Sequence, residues 1–319
     1  FTMRIWYPTD DSSDHDLAYW IGYSDVTEGL ARSLRFPSIL LNHTREIESN
    51  AYSYADISHD KESYPVVIIS HGWGGFMALH TDLAEELASH GYIVISIDHT
   101  YGSVATDFYF DTVYQKQDIL PSRDDPNFLN AANQLVYTYA GDVSKIIDYL
   151  EDVNDVHSYS FLSGKLDLDH IGLIGHSTGG GADVAVALDD DRIDALLGLD
   201  AWVEPIDQVN IDKGLEMPAL FLRSETWQEG PNNINLETLI SKSSQSALYQ
   251  IDGTTHADFS MAYMFSPLTK QIGYTGSLNS DYLIYMQKEI MNNFFDEHLK
   301  GDANIEDVFS NYPEIKKID

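Results

Sequence analysis

Residues 170–181 read "HIGLIGHSTGGG". An apolar run of strand character passes straight into small residues, with no long loop between. That pattern requires a buried strand feeding a helix, at a crossing too tight for large side chains. Gly175-His176-Ser177-Thr178-Gly179 also fits G-x-S-x-G at the junction. A strand-to-helix turn of this kind holds its serine in a strained backbone with the hydroxyl exposed. Ser177 is therefore a candidate nucleophile. The competing reading is a close strand–helix contact with no chemistry attached.

The rest of the chain supplies the frame such a turn needs. "TMRIWYP" (2–8), "PVVIISHG" (65–72), "YIVISIDH" (92–99), "IDALLGLDA" (193–201), "PALFLRSE" (218–225) and "SALYQIDG" (246–253) read as strands. Helical patterns fall between or after them at 77–91, 131–153 and 281–301, and from Ser177 onward. Alternating units of this kind predict an α/β fold: one continuous domain with a mostly parallel central sheet and helices on both faces. Residues 10–64 and 100–130 break the alternation and are expected to be lid or loop insertions. Within the first, "LAYWIGYSDVTEGLARSLRFP" suggests a helical hairpin over the site.

A serine hydroxyl needs a histidine base, and the histidine needs a carboxylate to fix its tautomer. His256 follows the last strand-like run in "YQIDGTTHADFS", whereas His298 falls in the terminal helix. Three carboxylates compete as the acid. Asp200 closes an almost wholly apolar strand, where a charge needs a reason; Glu225 closes the next strand, and Glu204 lies between. We favour Asp200. The oxyanion hole is expected from the amide of Thr178, next after the nucleophile, and that of Trp73 in "SHGWGGF" (70–76). Trp73, Phe76, Trp202 and Phe259 are candidate substrate-pocket aromatics. His71, His99 and His176 read as structural. The glycine loop fits neither phosphate-binding pattern, and no histidine spacing suits a catalytic metal, so no cofactor is expected.

Charge narrows the partners. The 18 basic and 51 acidic residues give a net charge of −33, which argues against nucleic acid and anionic lipid surfaces. The excess fits either a soluble, self-repelling surface or adaptation to salt. With no cysteine, the chain has neither disulfides nor a thiolate nucleophile. No apolar run is long enough to span a bilayer as a helix. The opening "FTMRIWYPTD" reads as the middle of a strand, so a removed upstream segment and a secreted or periplasmic location are expected.

Taken together, "PVVIISHGWGGF", "LASHGYIVISIDHTYGS", "IGLIGHSTGGGADV", "LGLDAW", "MPALFLRSE" and "DGTTHADFS" resemble the platelet-activating-factor acetylhydrolase-like (isoform II type) branch of the α/β-hydrolases. The match covers roughly residues 60–301 in order, with "RIWYP" fitting the first strand. The resemblance implies a Ser–His–Asp esterase acting on a small-molecule, lipid or polymer ester, with the acid at the "LDAW" position, Asp200. "HGWGG" is also similar to cutinase-like polyester hydrolases, which place aromatics where Trp73 and Trp202 stand. Those enzymes carry an E-N-D type segment where this chain has "RSETWQ". Dienelactone hydrolases share the fold but commonly use a cysteine nucleophile, which this chain lacks.

Overall fold

In the computed structural model, residues 1–10, 12–108 and 110–318 are described. The strands, in chain order, are β1 (Thr2–Trp6), β2 (Leu17–Tyr19), β3 (Glu48–Tyr52), β4 (Tyr64–Ser70), β5 (Ile93–Asp98), β6 (Ala105–Asp107), β7 (Thr112–Tyr114), β8 (Leu166–His176), β9 (Ala195–Leu199), β10 (Ala219–Ser224), β11 (Ser246–Ile251) and β12 (Ile315–Ile318). The helices are α1 (Ser24–Leu34), α2 (Thr81–Ser89), α3 (Phe128–Asn154), α4 (Thr178–Ala187), α5 (Gln208–Ile211), α6 (Pro231–Lys242), α7 (Ser280–Phe295) and α8 (Ile305–Phe309).

Eight strands form one sheet in the order β1-β5-β4-β8-β9-β10-β11-β12. The inner pairs are parallel; β1 and β12 close the two edges antiparallel. Side chains alternate between faces along a strand, and the two faces here have separate cores. Val66 and Ile68 of β4 pack with α3 and α4, while Val67 and Ile69 pack with α2 and α7. This explains why β4 is apolar at successive positions rather than alternating: it is covered on both sides. Each such fully buried Val or Ile contributes about 1.5–3 kcal/mol.

The 27-residue α3 buries Val136, Tyr139, Val143, Ile147 and Leu150, a helical spacing that lays one stripe on the sheet. The C-terminal helical run is divided: α7 ends at Phe295, and a wider turn over Asp296–Lys300 continues to Gly301. Strand β12 has no long apolar run to announce it. It is a short edge element whose Lys316 and Lys317 are exposed, a composition that discourages further strand pairing.

The two excursions are more ordered than an irregular loop. The expected helical hairpin in residues 17–37 is a strand followed by a single helix: β2 pairs antiparallel with β3, and α1 stands alone. The apolar residues before Gly22 serve a different core, where Trp20 packs with Phe76 and Phe265. In the second excursion, β6 (Ala105–Asp107) pairs antiparallel with β7 (Thr112–Tyr114). Among the described residues, no helix is long and apolar enough to cross a membrane.

Candidate active site

The parallel strands all deliver their carboxyl ends to one edge of the sheet, and the candidate residues collect there. Ser177 joins β8 to α4 with φ 55° and ψ −119°, a left-handed conformation that a non-glycine residue adopts only under constraint. The constraint is visible in the backbone. Ser177 N donates to the Leu199 carbonyl (3.0 Å), and its own carbonyl accepts from Gly181 N (3.1 Å) and Trp202 N (2.8 Å). Strain of about 1–3 kcal/mol is held by three hydrogen bonds to surrounding structure. The crossing also leaves no room for side chains: a Cβ on Gly175 would lie 2.4 Å from the Gly180 Cα.

Asp200 follows β9, also with positive φ (44°), and is buried. Its amide bonds the Leu222 carbonyl at 2.8 Å, which fixes the turn against β10. The carboxylate accepts from Ser224 N (2.7 Å), Ser224 Oγ (2.6 Å) and His256 Nδ1 (3.0 Å). A buried charge needs such a set of donors. Because Nδ1 donates to Asp200, Nε2 of a neutral His256 keeps its lone pair.

His256 opens a short 3-10 turn, His256–Phe259. A reciprocal cap between Thr255 and Asp258 starts this turn, and Asp258 also accepts from Gly276 N at 2.7 Å. Two further contacts hold the histidine. His176 Nε2 donates to the His256 carbonyl (3.1 Å), and the Trp227 indole stacks on the His256 ring with centroids 4.1 Å apart and planes within 3°. Burial pushes the His176 imidazole well below its usual range, so it sits there neutral.

Ser177 and His256 line one cavity of about 480 Å³. Trp73, Phe76, Leu30 and Leu34 line it too. Gly72 abuts Ser177: a Cβ on Gly72 would lie 2.9 Å from the Ser177 Cβ. The Gly72 carbonyl is held from the other side by His71 Nδ1 (2.7 Å) and Gly75 N (2.9 Å). In a trans peptide, the Trp73 N–H points opposite to that carbonyl. Thr178 is the first residue of α4, so its amide lacks an acceptor one turn back. Both expected oxyanion donors thus flank Ser177 in sequence or in space.

The structure brings Ser177, His256, Asp200, Trp73, Thr178 and Phe76 to one place. Trp202 and Phe259 are not among the residues lining the cavity. Trp202 packs on Phe128 and donates Nε1 to Glu204 (3.2 Å). Phe259 belongs to the core beneath α7. The rival acids have other partners: Glu225 accepts from Gly253 N (2.7 Å), and Glu204 also pairs with Arg123 (3.5 Å). His71 supports the glycine loop, with Ser103 Oγ 2.8 Å from its Nε2, and His99 bonds Asp142 (3.1 Å) while stacking on Tyr139. Ser224 and Trp227 were not singled out in the sequence. Ser224 sits beside the strand-closing Glu225, and nothing local marks Trp227 as a partner of His256.

An eight-stranded, mostly parallel sheet with a serine elbow at its carboxyl edge defines an α/β-hydrolase. The family model for platelet-activating factor acetylhydrolase, isoform II, matches residues 1–314. The chain belongs to that family, whose members are carboxylic ester hydrolases. Platelet-activating factor acetylhydrolase of Canis lupus familiaris is 26% identical over 302 residues, covering 88% of this chain and 66% of that protein. The Cavia porcellus protein of the same name is 24% identical over 325 residues, covering 95% and 74%. Cutinase 2 of Thermobifida cellulosilytica is 26% identical over 207 residues, covering 62% of each chain. A ferulic acid esterase structure from Streptomyces cinnamoneus superposes with a TM-score of 0.78 at 22% identity, covering 99% of this chain and 88% of that one. That likeness supports the fold.

Proposed function

We propose that this protein hydrolyses carboxylic esters, with a preference for short acyl groups, through an acyl-enzyme formed on Ser177. His256 Nε2 takes the Ser177 proton as Oγ attacks the ester carbonyl. Asp200 holds the imidazole by Nδ1 and stabilises its charged form. The Trp73 and Thr178 amides stabilise the oxyanion, each by about 2.7–4 kcal/mol. His256 returns the proton to the leaving alcohol, then activates water to release the acid.

The observation that carries this reading is the 3.0 Å contact between buried Asp200 and His256, at a cavity that the strained Ser177 also lines. Residues 10–64 and 100–130 belong, on this reading, to the same hydrolase domain. Leu30, Ser33 and Leu34 of α1 form one wall of the acyl site. A lipid acetyl ester and a polyester are the two alternative substrates, favoured respectively by the family and by the cutinase relatives.

The deciding measurement is p-nitrophenyl ester hydrolysis across acyl lengths C2 to C16, with Ser177→Ala beside the wild type. Highest activity at C2–C6, lost in the variant, is the expected result. No activity at any length, at low or high salt, would overturn the esterase reading.

A further inference from the structure

The segment "RSETWQ" stands where cutinase-like enzymes carry their acid, and the proposed mechanism makes no use of its tryptophan. Trp227 ends a short 3-10 turn, Glu225–Trp227, immediately after β10. Glu225 ties that turn to the chain just before His256 by accepting from Gly253 N at 2.7 Å. The turn therefore carries Trp227 to a fixed place, parallel to the His256 ring.

We propose that Trp227 is a positioning residue for His256: its indole face fixes the ring plane and stabilises the imidazolium that forms when Ser177 gives up its proton. The inference rests on the acyl-transfer reading above. An indole face carries negative electrostatic potential, so a cation stacked on it is attracted, most strongly where water is excluded. Three restraints then divide the work. Asp200 holds the Nδ1 edge, His176 holds the backbone, and Trp227 holds one ring face.

The other ionisable groups around His256 leave this role open. Asp200 is the carboxylate bonded to it. The His176 ring lies at 4.6 Å, with His80 a further 5.5 Å behind; burial lowers both, His80 to about 4, so neither carries charge near neutral pH. Glu225 is bonded to Gly253 N, and Asp258 to Thr255 N and Gly276 N. Tyr274 lines the shared cavity and is held above the usual tyrosine range by burial.

The test compares Trp227→Phe, Trp227→Tyr and Trp227→Leu. Leucine still excludes water from the ring but offers no π face. In Trp227→Leu, the acid limb of kcat/KM for p-nitrophenyl acetate should move down by roughly half a pH unit. The plateau kcat should fall about three- to tenfold, with KM changing less. Phenylalanine and tyrosine should restore most of both. A packing-only role predicts instead an unmoved limb and equal behaviour of Phe and Leu, and that result would overturn the proposal.

A second readout needs no turnover. The His256 imidazole can be titrated by NMR in the Ser177→Ala background, with and without Trp227→Leu. A lower midpoint in the double variant supports the stack; an unchanged midpoint refutes it. An inactive wild type would defeat the esterase reading, and the titration would still decide the role of Trp227.

Discussion

The floor and the wall of the cavity are built by different means. Ser177 on the floor, and Asp200 behind His256, hang from adjacent strand ends, and their backbone amides bond the carbonyls of Leu199 and Leu222. Both residues have positive φ, a conformation that these backbone bonds hold in place. The wall from α1 is instead stitched by side chains from distant parts of the chain. Trp20 Nε1 donates to the Ala78 carbonyl and Arg4 Nη1 to the Trp20 carbonyl, each at 2.7 Å. Gly29 lets α1 approach β6 so closely that a Cβ there would meet the Val104 carbonyl oxygen at 2.4 Å. The floor is therefore suited to fixed chemistry, and the wall to variable substrate shape.

The largest test of that division is Ser177→Ala. It should cut ester hydrolysis by about 10⁵- to 10⁶-fold, as removal of a triad nucleophile does, with the melting temperature nearly unchanged. Next is Asp200→Asn, which keeps the shape but presents an amide to His256 and disturbs its tautomer. A loss of about 10⁴-fold in kcat is expected. Glu225→Gln and Glu204→Gln should each stay within about threefold of wild type, since neither carboxylate bonds His256. A tenth or more of wild-type activity in Asp200→Asn would show that the acid lies elsewhere.

The same contrast shows what was legible in the sequence. The elbow could be read because its requirements are local: an apolar strand, a serine and small residues, all within "IGLIGHSTGGG". The alternation of strands and helices announced the sheet for a similar reason, since β4, β5 and β9 are buried along their whole length. The wall could not be read. "LAYWIG" has apolar residues at no single period because Trp20 serves the core with Phe76 and Phe265 while Tyr19 is exposed. The Trp227–His256 stack joins two turns that follow different strands, a contact that leaves no periodic trace. Trp202 misled for a related reason: its position beyond β9 fits a pocket residue, but its ring turns toward Phe128.

Two glycine replacements break floor and wall separately. Gly175→Ala drives a Cβ into the backbone of α4 and to 2.6 Å from the Asp183 carboxylate, with no flexible neighbour to give way. It should cost about 3 kcal/mol and displace Ser177, so activity falls for every ester. Gly29→Ala also meets backbone, but that of the β6 hairpin. A smaller cost, about 1–2 kcal/mol, is expected as α1 lifts. Acyl-chain preference should change while the rate on acetyl esters holds, because Leu30 and Leu34 move and Ser177 does not. Equal loss on short and long esters would show that floor and wall are one mechanical unit.

The smallest effect on turnover comes from behind the elbow, and it shows in stability as a function of pH. Asp183 lies on α4 behind the elbow, fully buried. Its Oδ1 accepts from Ser70 Oγ at 2.7 Å, but Oδ2 has no partner. Burial raises its pKa from 3.8 to about 8. The folded state therefore holds this proton at pH values where the unfolded chain has released it. Stability linked to Asp183 is fully present below about pH 4 and is lost as pH rises toward 8, with a limiting slope of about 1.4 kcal/mol per pH unit. Asp183→Asn removes the titration and keeps an acceptor for Ser70. Urea unfolding from pH 4 to 9 should show the variant gaining on wild type across that window and running parallel to it above about pH 8. A constant difference across the whole range would mean that Asp183 stays charged in the fold, supported by donors reaching Oδ2.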